Sequence, residues 1–243
     1  MVGRGFQSGG NVCADAITTR GYSVTRGDAI ALRRSGAAIR FYVSDTVERD
    51  VVTGGGTISR LTHTRVGGRV DVSGNAPQLV DCTAAADRVS MKRAEFLALP
   101  SGLSLPPIQV PRAGSQRIPA TGTLGPGQVV IDVPSIRLSS YGRLTLAGDA
   151  TTTQVIVRVT GTRSITVGYA AHIALAGLQP EQVLVLASGP IILCSHATVS
   201  GNLLATRLIT VRRSGKVDGT LLSGTGFRLN SYASVMLHPF VAW

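Results

Sequence analysis

From Ile191 onward apolar and polar residues alternate, and the alternation recurs every 18 residues. Ile191, Leu193, Ala197, Val199 and Gly201 are matched by Ile209, Val211, Gly215, Val217 and Gly219 (209 − 191 = 18), and Phe227, Leu229, Ala233 and Val235 match them again. Alternation of period two marks a strand with one buried face. A fixed repeat marks stacked, near-identical units. Short strands broken by Gly, Ser and Asn at constant spacing are the coils of a β-solenoid, each lying about 4.8 Å from the last. The register predicts buried ladders: Val199 on Val217, and Leu193 on Val211 on Leu229.

The same texture extends upstream. Ile58, Val66, Gly68 and Val70 reproduce the spacing of Ile191, Val199, Gly201 and Leu203, which predicts N-terminal coils within residues 1–76. Between Asp81 and Leu99 there is no Gly and no Pro. That stretch predicts a helix over 81–99, with Asp81 or Thr83 as N-cap and Pro100 as its stop. Cys82, Ala85, Val89, Arg93 and Phe96 fall near one face, while Asp87, Arg88, Lys92 and Glu95 fall on the other. An Ala-rich face suits packing lengthwise on a sheet, with Met91 and Phe96 as core contacts. Residues 100–127 hold six of the eleven prolines and read as an extended connector. Residues 128–243 form the main solenoid and its C-terminal cap, where Pro239, Phe240 and Trp243 would cover the last coil. The fold expected is mainly β: one β-solenoid (β-helix) domain over 1–243, with a single α-helix packed along it.

Composition sharpens this picture. Aromatic residues make up 5% of the chain and hydrophobic residues 44%, which suits a narrow core of Val, Ile, Leu and Ala. A thin core hides less than that, so some apolar residues should lie on an outer face, against the helix or another chain. No apolar run is long enough for a membrane span. The net charge is +11 and arginine supplies nearly all the positive charge. Such a surface suits solvent, or an anionic partner such as a polysaccharide or a charged surface. No basic cluster alternates with aromatics along the sequence, so no specific nucleic-acid site is expected. Cys13, Cys82 and Cys194 lack metal-ligand spacing and read first as buried free thiols, with one disulfide plus one odd thiol as the alternative. Met1 to Asn11 lacks an apolar signal core. A leader has then been removed, or export takes another route, such as within a virus particle.

Candidate chemistry is sparse. His63, His172, His196 and His238 show no metal or triad spacing. Ser195-His196 is an adjacent pair, and neighbours on a strand point to opposite faces. Asp132, Asp149 and Asp218 are isolated, whereas sugar-cleaving sites pair their acids. Gly54-Gly55-Gly56 and the glycines of 122–127 lack the Lys-Ser/Thr and following helix of a phosphate loop. No threonine ladder forms in the clear repeats: Thr198 stacks with Lys216 and Ser234, Thr210 with Ile192 and Arg228, Thr220 with Asn202 and His238. No catalytic, cofactor-binding or metal-binding residue is nominated, and no cofactor is expected.

Several motifs, in order, resemble the choice-of-anchor A domain of bacterial surface proteins. Asp81-Cys82-Thr83-Ala84-Ala85-Ala86 is similar to the start of its helix. Val155 to Thr162 is similar to its hydrophobic strand followed by S/T-G-T, and Leu178 to Leu184 to its turn before a strand. Gly201-Asn202-Leu203-Leu204-Ala205 and Gly219 to Gly224 resemble two successive glycine-led steps, with Thr206 where the family has Pro. His238 and Phe240 resemble its closing element. The resemblance implies a β-solenoid with a lengthwise helix, like the related bacterial ice-binding domain, and supplies no catalytic residues. The expectation is a non-enzymatic structural or adhesive protein, extracellular or at the cell surface, acting as a homo-oligomer or a subunit of a larger assembly. Alternatives are a virion fibre, decoration or tail component, a carbohydrate-active β-helix, and an ice-binding protein.

Overall fold

The computed structural model describes residues 7–8, 11–14, 16–19, 21–42, 44–59, 63–120, 127–162, 165–236 and 238. Its strands are parallel and build a three-faced solenoid. The expected ladders are present: Val199 pairs with Val217, and Leu193, Val211 and Leu229 follow one another, all buried. The N-terminal repeat is also present, with strands at Thr57–Ser59, Arg65–Val66 and Val70–Asp71.

The order of the coils differs from their order in sequence. One face is a continuous sheet of ten strands. It runs from Ser115–Pro119 through Arg143–Ala147, His172–Ala176, Thr198–Ser200 and Lys216–Asp218 to Ser234–Met236. It then continues into Gln7–Ser8, Val24–Thr25, Thr46–Val47 and Arg65–Val66. Gln7 pairs with Ser234 and Ser8 with Val235, so the N-terminal segment stacks on the C-terminal coil. The C-terminal coil therefore lies inside the stack, covered by another coil. The cap expected from Pro239, Phe240 and Trp243 lies outside the described residues.

The other two faces are each divided at this junction. On one, six strands from Leu103–Ser104 to Leu221–Ser223 are separate from the four built on Val12–Ala14. On the other, the six from Ile108–Val110 to Phe227–Leu229 are separate from the three built on Ile17–Thr18. The segment read as a connector is in fact a coil: Leu103–Ser104, Ile108–Val110 and Ser115–Pro119 each pair with the next coil, and Ile108, Val110 and Ile118 are buried. Its prolines bound these short edge strands, where a missing N–H is tolerated.

This order explains the helix. The chain leaves the stack at Asp71 and re-enters at Leu103, at the opposite end. Ten coils make nine steps, about 43 Å. A helix over Pro77–Ala98, with 22 residues, covers about 33 Å of that return. It lies along the solenoid as expected but begins earlier than Asp81. Ala76 is its N-cap and Pro77 is preset for the first turn, so Asp81 and Thr83 lie inside it. Leu99 is extended ahead of Pro100.

Leu79 and Cys82 pack on Ile30 and Val52, and Phe96 packs on Val130, Ile156, Leu184, Leu186 and Leu204. Strands on this face are buried on both sides, which is why they read as unbroken apolar runs such as Val183 to Ala187. The helix thus covers much of the apolar surplus. Met91, expected to be a core contact, is instead 64% exposed, on the side of the helix away from the sheet.

Several ties hold the helix, among them a disulfide and a buried arginine. Cys13 and Cys82 form a disulfide between the first N-terminal coil and the helix, leaving Cys194 free, so the reading of three free thiols is overturned. At the far end Arg158 points out of its strand into the helix C-terminus. Its guanidinium donates to the carbonyls of Phe96, Leu97 and Leu99 at 3.3, 3.0 and 2.5 Å. It also donates twice to Asp132, both at 2.6 Å. A cation on the free carbonyls of a helix end is favourable. Asp132, expected to be isolated, is held below the usual carboxylate range chiefly by this Arg158 hydrogen bond.

Candidate functional site

The corner between the ten-stranded face and the divided face opposite the helix has one geometry throughout. Nine non-glycine residues of the described chain have positive φ, and all nine lie there: Ala113, Tyr141, Ala170, His196, Ser214, Tyr232, Tyr22, Ser44 and His63. Each described turn of the corner holds one of them. In the six coils after the helix, each sits third in a four-residue turn. The fourth residue donates to the carbonyl of the first, as Gly142 does to Ser139, Ala197 to Cys194, Gly215 to Arg212 and Ala233 to Asn230. A turn of this kind needs φ above zero at its third position. Its fourth residue is small because it turns into the core: Ala171, Ala197 and Ala233 are fully buried.

The left-handed residues also join the coils. Ala113 donates its N–H to Ser140, Tyr141 to Tyr169, Ala170 to Ser195, His196 to Arg213 and Ser214 to Ser231. This backbone ladder fixes the conformation and leaves each side chain outside. Gly or Asn would meet the backbone demand at least expense. Tyrosine occupies three of the nine positions instead, a choice the turn does not require.

The consequence is a row of aromatic rings. The chain has five tyrosines. Tyr22, Tyr141 and Tyr232 occupy left-handed positions, Tyr169 precedes one, and Tyr42 stands two residues before Ser44. All five are exposed, by 40 to 55%. Tyr141 and Tyr169 meet edge to face with centroids 5.6 Å apart, and Tyr169 meets His196 in the same manner at 5.4 Å. Tyr141 to Tyr22 spans six coil steps, about 29 Å.

Charge on this edge has one sign. Within two residues of the six left-handed positions from Ala113 to Tyr232 stand Arg112, Arg143, Arg212, Arg213 and Lys216, all exposed, and no acid. In the N-terminal coils Asp45 lies near the edge but is buried. It accepts from the backbone N–H groups of Ser23 and Tyr42 at 2.9 and 2.7 Å and from the Thr19 hydroxyl.

The residues weighed from sequence are dispersed. Ser195 and His196 are in a turn rather than on a strand, with His196 at the left-handed position. His172 is on the ten-stranded face, beside the Thr198 hydroxyl. His238 lies 3.1 Å from Asp218, and Asp149 accepts from Thr151 and Thr152 within its own turn. Other acids hold coils together: Asp28 accepts the N–H of Asp50, and Asp50 that of Arg69. Among the described residues no group of three His, Cys, Asp or Glu is placed to hold a metal ion. Thr198 and Thr210 stack as expected, on Lys216 and on Ile192 and Arg228. The tyrosine edge was missed because its members are up to 210 residues apart (232 − 22). Its local signal, Ser-Tyr-Gly at 140–142, Ser-His-Ala at 195–197 and Ser-Tyr-Ala at 231–233, is nevertheless legible.

Comparison with solved structures finds the same architecture elsewhere. An ice-binding protein from the Antarctic ascomycete Antarctomyces psychrotrophicus superposes with a TM-score of 0.57 at 18% identity, covering 88% of this chain and 92% of that one. An antifreeze ice-binding protein from an Arctic yeast gives 0.51 at 15% identity, covering 93% and 91%. The likeness is one of fold. No family model matches the sequence, and no curated protein does. The choice-of-anchor A resemblance is thus carried no further than the parallel β-helix with its helix.

Proposed function

We propose that this protein is a non-enzymatic binding rod, an adhesive or structural β-solenoid displayed on a surface or built into a larger assembly. The observation that carries this reading is the corner formed by the nine described turns, a regular exposed edge whose side chains exceed what its backbone requires. The Cys13–Cys82 disulfide fits an oxidising compartment and supports an extracellular or cell-surface location. Asp28, Asp45 and Asp50 are engaged in coil-to-coil contacts, Asp149 in its own turn and Asp132 at the helix end, which argues against a sugar-cleaving role for them. The test is retention of the labelled protein on insoluble cell-wall polysaccharides, with reducing ends measured in parallel. Retention without turnover is expected. Release of reducing ends, or no retention on any surface, overturns the reading.

Ice binding is the second reading, favoured by the shared fold. The open faces speak against it, because charge interrupts both. Arg143, Lys216 and Arg65 share one outward column of the ten-stranded face, and Arg137 and Arg228 stand on the divided face. Thermal hysteresis indistinguishable from that of a non-binding control is expected. Measurable hysteresis with faceted ice crystals would establish ice binding instead.

A further inference from the structure

The geometry points to the tyrosine edge as a binding site for an acidic polysaccharide, a polymer of uronic acid laid along the solenoid axis. This rests on the adhesive reading and names its ligand and its place. Aromatic rings present a negative face that attracts the positive C–H groups of a pyranose ring, and phenol hydroxyls pair with sugar hydroxyls. Tyr141, Tyr169, Tyr232, Tyr22 and Tyr42 place such rings along one line, where an extended chain can touch several at once. A ring exposed by half on a soluble protein keeps apolar area in water. Here five do so on the same edge.

Charge selects the class of polymer. Arg112, Arg143, Arg212, Arg213 and Lys216 flank the ring line, with no acid beside the six left-handed positions from Ala113 to Tyr232. Arginine pairs with a carboxylate in a two-pronged geometry. Arg212, Arg213 and Lys216 gather at the Ser214 turn, and Arg143 and Arg112 stand three and four coil steps away, so a polymer with one carboxylate per sugar meets positive charge at several points along the edge. A single-stranded nucleic acid is disfavoured by the rings themselves. Tyr141, Tyr169 and His196 touch edge to face, leaving no slot between neighbours for a base. A sugar chain needs none, because it lies across the outside.

Serine already occupies the left-handed position at Ser44 and Ser214, and the preceding position, where Tyr169 stands, at Ser140, Ser195 and Ser231, so Tyr141→Ser and Tyr169→Ser keep the corner intact. The test uses the full chain with polygalacturonate, with hydroxyethylcellulose and poly(dT) as the neutral and nucleic-acid arms. Binding is read by calorimetry at several salt concentrations. The expected result is tightest binding to polygalacturonate. Tyr141→Ser with Tyr169→Ser should weaken it at least tenfold without changing the salt dependence. Arg212→Ser with Arg213→Ser should weaken it and flatten the salt dependence. Unchanged melting checks that each variant is folded. Equal or tighter binding to poly(dT) overturns the ligand class. Binding to either sugar polymer that ignores the tyrosine substitutions overturns the edge while leaving the adhesive reading intact. No binding to any of the polymers overturns the proposal, and retention on insoluble cell walls then decides the adhesive reading separately.

Discussion

Replacing Arg158 by Met removes the group that joins the helix to the sheet. The side chain is 9% exposed and bonds two partners at once, the Asp132 carboxylate and the last carbonyls of the helix. Methionine restores most of the volume, so the loss is electrostatic. Breaking a buried ion pair costs about 3–5 kcal/mol, because the remaining charge is stranded. Asp132 is 21% exposed, so water recovers part of that, and the lower end, about 3 kcal/mol, is expected. The helix carbonyls add about 1 kcal/mol. Urea unfolding followed by far-UV circular dichroism reads the difference. Removing both charges, Arg158→Met with Asp132→Leu, should recover a large part of the loss. The pair also fixes a pH dependence. Asp132 has a folded pKa lowered chiefly by the Arg158 hydrogen bond, so its contribution is fully present above the unfolded carboxyl value of about 3.9. It is lost as pH falls through the lower folded value. Arg158→Met should flatten that acid limb. A variant within 0.5 kcal/mol of the parent, about the scatter of neutral surface substitutions, with an unchanged acid limb, would refute this reasoning.

Three further outcomes follow from the packing. Val217→Asp puts a carboxylate at a position 1% exposed between Val199 and Val235, and should cost at least about 3 kcal/mol in denaturant unfolding; an unchanged midpoint would break the assigned register. Gly219→Ala forces a Cβ onto the carbonyl of Gly201 at φ +152°, so a loss of about 2 kcal/mol or more is expected, and a neutral effect on melting would contradict the close stacking of Gly219 on Gly201. Reducing Cys13–Cys82 opens a link between residues 69 apart in sequence and should lower stability by up to about 4 kcal/mol, whereas a reductant-independent urea midpoint would show that the disulfide does not restrain the unfolded chain.

Period-two alternation made the C-terminal ladders legible, since Val199 and Val217 have polar neighbours on both sides. Absence of Gly and Pro made the helix legible. Alternation says which residues point inward but not which coil lies on which. Nothing local in Gln7 or Ser8 announces that they pair with Ser234 and Val235. The prolines of 100–127 suggested a connector because Pro weakens strand propensity, yet Ile108, Val110 and Ile118 keep the inward pattern between them. Arg158 carries a legible sign of its role: a charge inside an apolar run, on a strand buried on both sides, must have a partner. The edge was hardest to see, because its chemistry lies in turns and becomes a site only after ten coils are stacked.

The most direct measurement is nuclear magnetic resonance of protein labelled only in its tyrosine rings. Every tyrosine of the chain lies on the proposed edge, so the spectrum is a map of that edge and of nothing else. Addition of polygalacturonate should shift the ring signals of Tyr141, Tyr169, Tyr232, Tyr22 and Tyr42 together, along one binding curve. Ring signals that stay fixed while calorimetry records binding would place the ligand elsewhere and contradict the account.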